Sequence, residues 1–263
     1  MKDKIERVGR IAVNAVEELG YGLMMFYESV YWLVFGKFQK QEVGFPLIIN
    51  QTIQIGLSAT PIVVVLCFAV GMMLSIQGLE TLKPYGAQSQ VVTGIALSVT
   101  REFSALITGI IVAGRSGSAI AARIGTMKES QEIDALQVIG VNPVRYLAAP
   151  ALLAMIISMP ILTLFGDIMG MLGASVYTLY ELGMPIEIYM SRSFSVISVF
   201  DVMQGLSKSV IFAVLIVVIS VINGFQVKGG AEGVGLATTR SVVMSISAIV
   251  VADMIFTFFL TRM

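Results

Sequence analysis

The sequence predicts an all-α integral membrane protein with about five transmembrane helices, an N-terminal interfacial amphipathic helix and a short cytoplasmic helix. Three observations predict it. Of 263 residues, 56% are hydrophobic and 13% charged, about half the charge of a soluble domain. Mean hydropathy is +0.88. Stretches of about 20 mostly apolar residues recur, the length needed to cross a hydrocarbon core of roughly 30 Å. Lys+Arg and Asp+Glu both total 17, so no net basic field attracts nucleic acid. There is no histidine and one cysteine, Cys67, which removes His-based triads, most zinc sites and an internal disulfide.

The elements follow in order. From Ile5 to Leu19 apolar residues recur at helical spacing, with Lys2, Lys4, Glu6, Arg10, Glu17 and Glu18 elsewhere, the pattern of an amphipathic helix. The aromatics Tyr21, Phe26, Tyr27, Tyr31 and Trp32 follow and suit a membrane interface. A span over Leu23 to Phe35 is the alternative, but it is short and holds Glu28. Glu17 and Glu18 also interrupt any cleavable signal sequence. The first span reads from Ile53 to Ile76, with Pro61 near its start, and Gly78 to Gln90 reads as a loop. A second span, Val91 to Ala113, is broken by Arg101 and Glu102. The charged stretch Arg115 to Arg145 reads as a connecting segment. The third span starts near Leu147 and runs toward Tyr180, interrupted by Asp167. Glu181 to Arg192 reads as a loop, and the fourth span covers Val202 to Asn223 with Lys208 inside it. A loop containing Gly229, Gly230, Gly233 and Gly235 leads to the fifth span, Ser241 to Leu260, which carries Asp253.

The Lys/Arg bias sets orientation. With the N-terminus in the cytoplasm, twelve basic residues lie in inner segments and only Lys83, Arg192 and Arg262 in outer ones. The 115–145 and 224–240 segments are then cytoplasmic and the C-terminus lies outside.

Two features can carry function. The first is the intramembrane charges Arg101, Glu102, Asp167, Lys208 and Asp253. Each costs about 2.5–3.5 kcal/mol at the bilayer centre unless it faces protein or water. They read equally well as static packing pairs or as a polar set coupled to transport. The spacing leaves open which pairs meet. The second is the segment 127–150. Ser130 can cap a short helix with Glu132 and Asp134 in its first turn and an apolar stripe of Ile133, Leu136 and Ile139. Gly140 stops it and Asn142-Pro143 prevents continuation. Such a stripe either docks in a groove of another protein or lies on its own bundle. The small-residue stripes Ala113, Gly117, Ala121, Gly125 and Gly166, Gly170, Ala174 read as helix-packing devices. No GxxxxGK[ST] occurs, so the chain has no phosphate-binding loop of that kind.

Arg101-Glu102, AGRSGSAIAARIGTM (113–127), QEIDALQVIGVNPVRYLAAPALLA (131–154), Ile222-Asn223-Gly224-Phe225 and GVGLATTRSVV (233–243) strongly resemble the MlaE/YrbE-like permease family. Its members are membrane subunits of MCE-type ABC transporters, which move lipids. The resemblance runs from about residue 50 to the C-terminus. It divides the chain into an N-terminal interfacial region, 1–50, and a permease domain, 51–263. The chain departs from the family pattern at Phe103-Ser104-Ala105, where a Gly-Pro pair is common. Arg123 stands where an acid is usual, and Ala151 where an arginine is common.

The resemblance implies a multi-pass protein of a bacterial inner (cytoplasmic) membrane, working as a homodimer around an apolar cavity for phospholipid. Its other implied partners are a cytoplasmic ABC ATPase dimer and an MCE-domain ring, often with a small STAS-domain protein. ATP and Mg²⁺ belong to the ATPase, with no cofactor, metal or catalytic residue expected in this chain. The helix with Glu132, Ile133, Asp134, Leu136, Ile139 and Gly140 becomes the coupling helix that contacts the ATPase. Glu102, Lys208 and Asp253 fall where family members carry intramembrane charges important for transport. Two rival readings use the same charges: an ion-coupled secondary transporter, and an intramembrane lipid-modifying enzyme with Glu102, Asp167 or Asp253 as acid or base. The second lacks a nucleophile with an adjacent base, and no inverted repeat supports the first.

Overall fold

The computed structural model describes residues 17, 20–33, 35 and 45–260. Most of the amphipathic pattern expected between Ile5 and Leu19 lies outside the described residues. Among those described there are helices and no strands, and five helical runs are long and apolar enough to cross a membrane. We label the helices α1 (residues 20–33), α2 (Phe45–Leu82), α3 (Gln90–Glu129), α4 (Glu132–Val138), α5 (Val144–Leu182), α6 (Ile186–Val196), α7 (Val199–Phe225) and α8 (Gly230–Leu260). The spanning runs are α2, α3, α5, α7 and α8, the five expected. Over its described residues α1 is not among them.

Without water to drive apolar surfaces together, helices in lipid associate through close packing and small residues. The α2–α5 pair shows this at backbone level. A Cβ on Gly71 would fall 1.9 Å from the Gly170 carbonyl oxygen, and one on Gly173 would fall 2.0 Å from that of Phe68. Ser75 and Thr178 share a 3.0 Å hydrogen bond across the same interface. The stripe that includes Gly117 and Ala121 seats α3 on α7. A Cβ on Gly117 would lie 3.0 Å from Ile216 and Ser220, and one on Gly224 would lie 2.7 Å from Ile124. Phe212, Met155, Met159 and Leu162 fill the space between these contacts.

Four boundaries differ from the sequence reading. The second crossing does not end at Ala113, since α3 continues to Glu129. Arg115 and Arg123 lie on that continued helix, whose stripe packs Gly117 and Ala121 on α7 and Gly125 against Val227 and Val234. Ser130 is not the cap of α4. Its hydroxyl donates to the Thr126 carbonyl at the close of α3 and to the Glu132 carboxylate. The reversal into α4 is made by Gln131 at φ 60°. The expected loop 181–192 holds most of α6, with Pro185 before its first turn and Tyr189 fully buried under α3 and α5. Burial raises the Tyr189 hydroxyl pKa above the ordinary tyrosine range. Finally, α8 begins at Gly230 rather than Ser241. Gly229 and Gly230 take φ of 97° and 68°. At Gly233 a Cβ would meet the Lys228 carbonyl oxygen at 2.1 Å, so these glycines form a tight corner instead of a loop.

The close of α4 behaves as expected of Gly140. At φ 80° it lets its own N–H reach the Gln137 carbonyl and that of Val141 reach Leu136, a Schellman stop. Asn142 then accepts from the Val144 and Arg145 amides at 2.8 and 3.3 Å, capping α5 with Pro143 at its first position. α1 lies against this corner. Glu28 accepts from Asn142 at 2.7 Å, and the Arg145 guanidinium sits 5.8 Å over the Trp32 ring.

Candidate functional site

The buried charges meet where α3, α7 and α8 come together. α3 widens into a π turn over Val99–Phe103, a distortion frequent at functional sites, and this turn carries Arg101 and Glu102. Gly205 of α7 packs against it so tightly that a Cβ would stand 2.3 Å from the Thr100 carbonyl oxygen. Adjacent residues of α3 thereby reach the same neighbour, one turn either side of Gly205.

Lys208 is fully buried. Its ammonium donates to Glu102 Oε2 and, at 2.8 Å, to Thr257 Oγ1. Asp253 Oδ1 is an ion contact at 2.9 Å, close in distance but off the line of a hydrogen bond. The Thr257 hydroxyl lies 3.1 Å from Glu102 Oε1, and the Phe256 ring lies 5.9 Å from the ammonium. One cation thus holds two carboxylates and ties three helices together. With all three groups ionised the cluster carries one net negative charge.

Arg101 turns the other way. Its Nε donates to Asp201 Oδ1 at 2.6 Å, while Asp201 Oδ2 accepts from the Ser198 amide at 2.8 Å in a capping box that opens α7. Asp201 was absent from the sequence-based candidates, although Ser198-x-x-Asp201 before an apolar run is the signal that finds it. Thr257 was missed too, since a threonine in an apolar span carries no signal. Asp167 does not join the cluster. It is buried in α5, and its Oδ1 has no hydrogen-bond partner among the described residues.

The other candidate residues sit at the far end of α3, about 40 Å away by helical rise. On α4, Ile133 is buried in the main core and Leu136 is half-buried. Val138 and Ile139 are 87% and 72% exposed. The stripe is therefore divided, with one residue anchoring the helix to its own bundle and the tip left bare. Glu132 and Asp134 are exposed, and Asp134 pairs with Lys128 at 3.0 Å. Between α1, α7 and α8 runs an apolar groove of about 660 Å³, with Phe26, Val218 and Val243 among its walls.

A family model described as Permease MlaE matches residues 48–259. The chain is 32% identical over 250 residues to a probable ABC transporter permease protein of Rickettsia typhi, covering 95% of each chain. It is 30% identical over 253 residues to the intermembrane phospholipid transport system permease protein MlaE of Haemophilus influenzae, covering 93% of this chain and 97% of the other. Against the chloroplastic protein Trigalactosyldiacylglycerol 1 of Arabidopsis thaliana it is 37% identical over 190 residues, 72% of this chain and 54% of that one.

Proposed function

The chain belongs to the MlaE permease family, a transport subunit and not an enzyme, and from that membership we propose that it is the permease of an ATP-driven phospholipid transporter maintaining envelope lipid distribution. Two copies enclose an apolar cavity for acyl chains in the bacterial inner membrane, and the Lys/Arg bias of the connecting segments supports a cytoplasmic N-terminus. The partners are a cytoplasmic ATPase dimer, which holds ATP and Mg²⁺, an outer MCE-domain ring and a small STAS-domain protein.

One observation carries the reading. α3 is a single helical run with a buried charge cluster near one end and the bare tip of α4 just beyond the other. A push on α4 by the ATPase is delivered through Ile133, which is seated in the core, and moves α3 as a rod. At the far end that movement strains the Glu102–Lys208–Asp253 contacts, which have one cation for two carboxylates and so two discrete ways to pair. Acyl chains need no polar code, and apolar surfaces such as the α1–α7–α8 groove suit them. The experiment is reconstitution of the chain with its ATPase in proteoliposomes holding a fluorescent phospholipid. ATP-dependent lipid movement supports the reading. Movement driven by an ion gradient without ATP overturns it.

A further inference from the structure

A second cavity, with polar groups set in a partly apolar lining, lies between α2, α3 and α5, at the bundle end that carries α4. Open on one side, it measures about 350 Å³. Gln51, Gln54 and Ser58 from α2 and Arg115, Ser116 and Arg123 from α3 supply its polar lining, Ile55, Ala119 and Ile120 its apolar part, and both arginines are exposed. The two arginines are eight residues apart, roughly 12 Å of helical rise, and their long side chains converge on one space. Neither makes an ion pair with a carboxylate among the described residues. The one lining residue from α5 is Ala151, whose short side chain fills little of the space.

Its level matters. Gln51 stands just before the apolar stretch that begins at Ile53 and Gln54 one residue inside it, and Arg115 comes two residues after the apolar run ending at Ala113. The cavity therefore opens at headgroup depth. Two guanidiniums without a carboxylate partner among the described residues, in a concave site with amide and hydroxyl groups beside them, match a tetrahedral oxyanion: arginine binds phosphate in bidentate fashion. Basic pockets between membrane helices on the cytoplasmic side favour anionic headgroups.

We propose that this cavity binds a phosphate group, presented by the headgroup of a phospholipid in the adjacent leaflet. The site needs neither ATP nor transport, and it is separate from the Lys208 cluster at the other end of α3. Occupied, it ties α2 to the inner half of α3 through the lipid.

The test is native mass spectrometry of the delipidated full-length chain in detergent, titrated with phosphatidylglycerol and, in parallel, with diacylglycerol of the same chains. The intact protein is expected to prefer phosphatidylglycerol about tenfold, and Arg115→Gln with Arg123→Gln to abolish the preference at unchanged thermal stability. Partial recovery is expected with Arg115→Lys and Arg123→Lys. A millimolar inorganic phosphate arm identifies the source. Phosphatidylglycerol that resists phosphate supports a lipid occupant, whereas full displacement by phosphate assigns the same site to the free ion. Equal binding by intact protein and the double Gln variant overturns the proposal. So does a double variant that keeps its lipid preference but loses a bound ATPase, which would make the arginines a protein contact. None of these outcomes bears on ATP-driven lipid movement, so failure here leaves the transport reading untouched.

Discussion

Glu102 and Lys208 meet across an α3–α7 contact in which Gly205 lies against the Thr100 backbone. The ion pair and the glycine are parts of one device, because the carboxylate reaches the ammonium only while the two backbones touch. Gly205→Ala puts a methyl group 2.3 Å from a carbonyl oxygen, and backbone cannot yield as a side chain can. The helices must separate, at a cost of roughly 1–3 kcal/mol as for other overpacked sites. A lower melting temperature in detergent, with membrane insertion intact, is the expected result. An unchanged melting temperature would mean that the α3–α7 contact is looser than described.

The lysine makes a sharper prediction. Lys208→Met leaves two carboxylates facing each other without a cation, a loss of roughly 3–5 kcal/mol for breaking a buried pair. Adding Glu102→Gln and Asp253→Asn removes the unpaired charge, so the triple variant regains most of that stability. It should still fail to move phospholipid in proteoliposomes, because the switchable ionic contact is gone. Transport at the unmodified rate by the triple variant would reduce the cluster to a packing element.

Asp201 serves two neighbours, and substitutions separate them. Asp201→Ala loses the cap of α7, worth roughly 0.5–2 kcal/mol, together with the partner of Arg101. The Arg101 side chain is 44% exposed, so its bond is partly screened and adds less than about 1 kcal/mol. Asp201→Asn keeps an oxygen for the Ser198 amide and should cost less than alanine in a melting experiment. Equal losses for the two variants would show that the ion pair, not the cap, holds α7 in place.

Much of this architecture was legible in the sequence because bilayer physics is one-dimensional. Length and hydropathy located all five crossings, and Glu102, Asp167, Lys208 and Asp253 stood out against an apolar background. What stayed hidden depends on distance in space. Nothing near Lys208 says that Glu102, 106 residues earlier, and Asp253, 45 residues later, share its ammonium. Asp201 stands just before Val202, where the fourth span is expected to begin, and its carboxylate is at once a helix cap and an ion-pair partner. The helix ends were misjudged for a related reason. Charge in Arg115 to Glu129 ends the apolar run but not the helix, which continues to Glu129, and the glycines at 229–233 read as a loop in the sequence but permit a close backbone corner. The stripe Ile133, Leu136, Ile139 was read as one face, yet seven residues of helix leave its first member buried and its last exposed.

That division on α4 yields the measurement closest to the centre of the proposal. Ile133→Ala removes a core side chain and should destabilise the bundle by roughly 2–5 kcal/mol. Ile139→Asp places a charge on a residue already 72% exposed and should leave the melting temperature unchanged. Co-purification of an ABC ATPase with the affinity-tagged chain, compared between the unmodified protein and Ile139→Asp, decides whether that tip is the coupling contact. A nucleotide-hydrolysing partner bound by the first and lost from the second is the predicted result. Undiminished recovery of the ATPase with Ile139→Asp, or no ATPase with either protein, would contradict it.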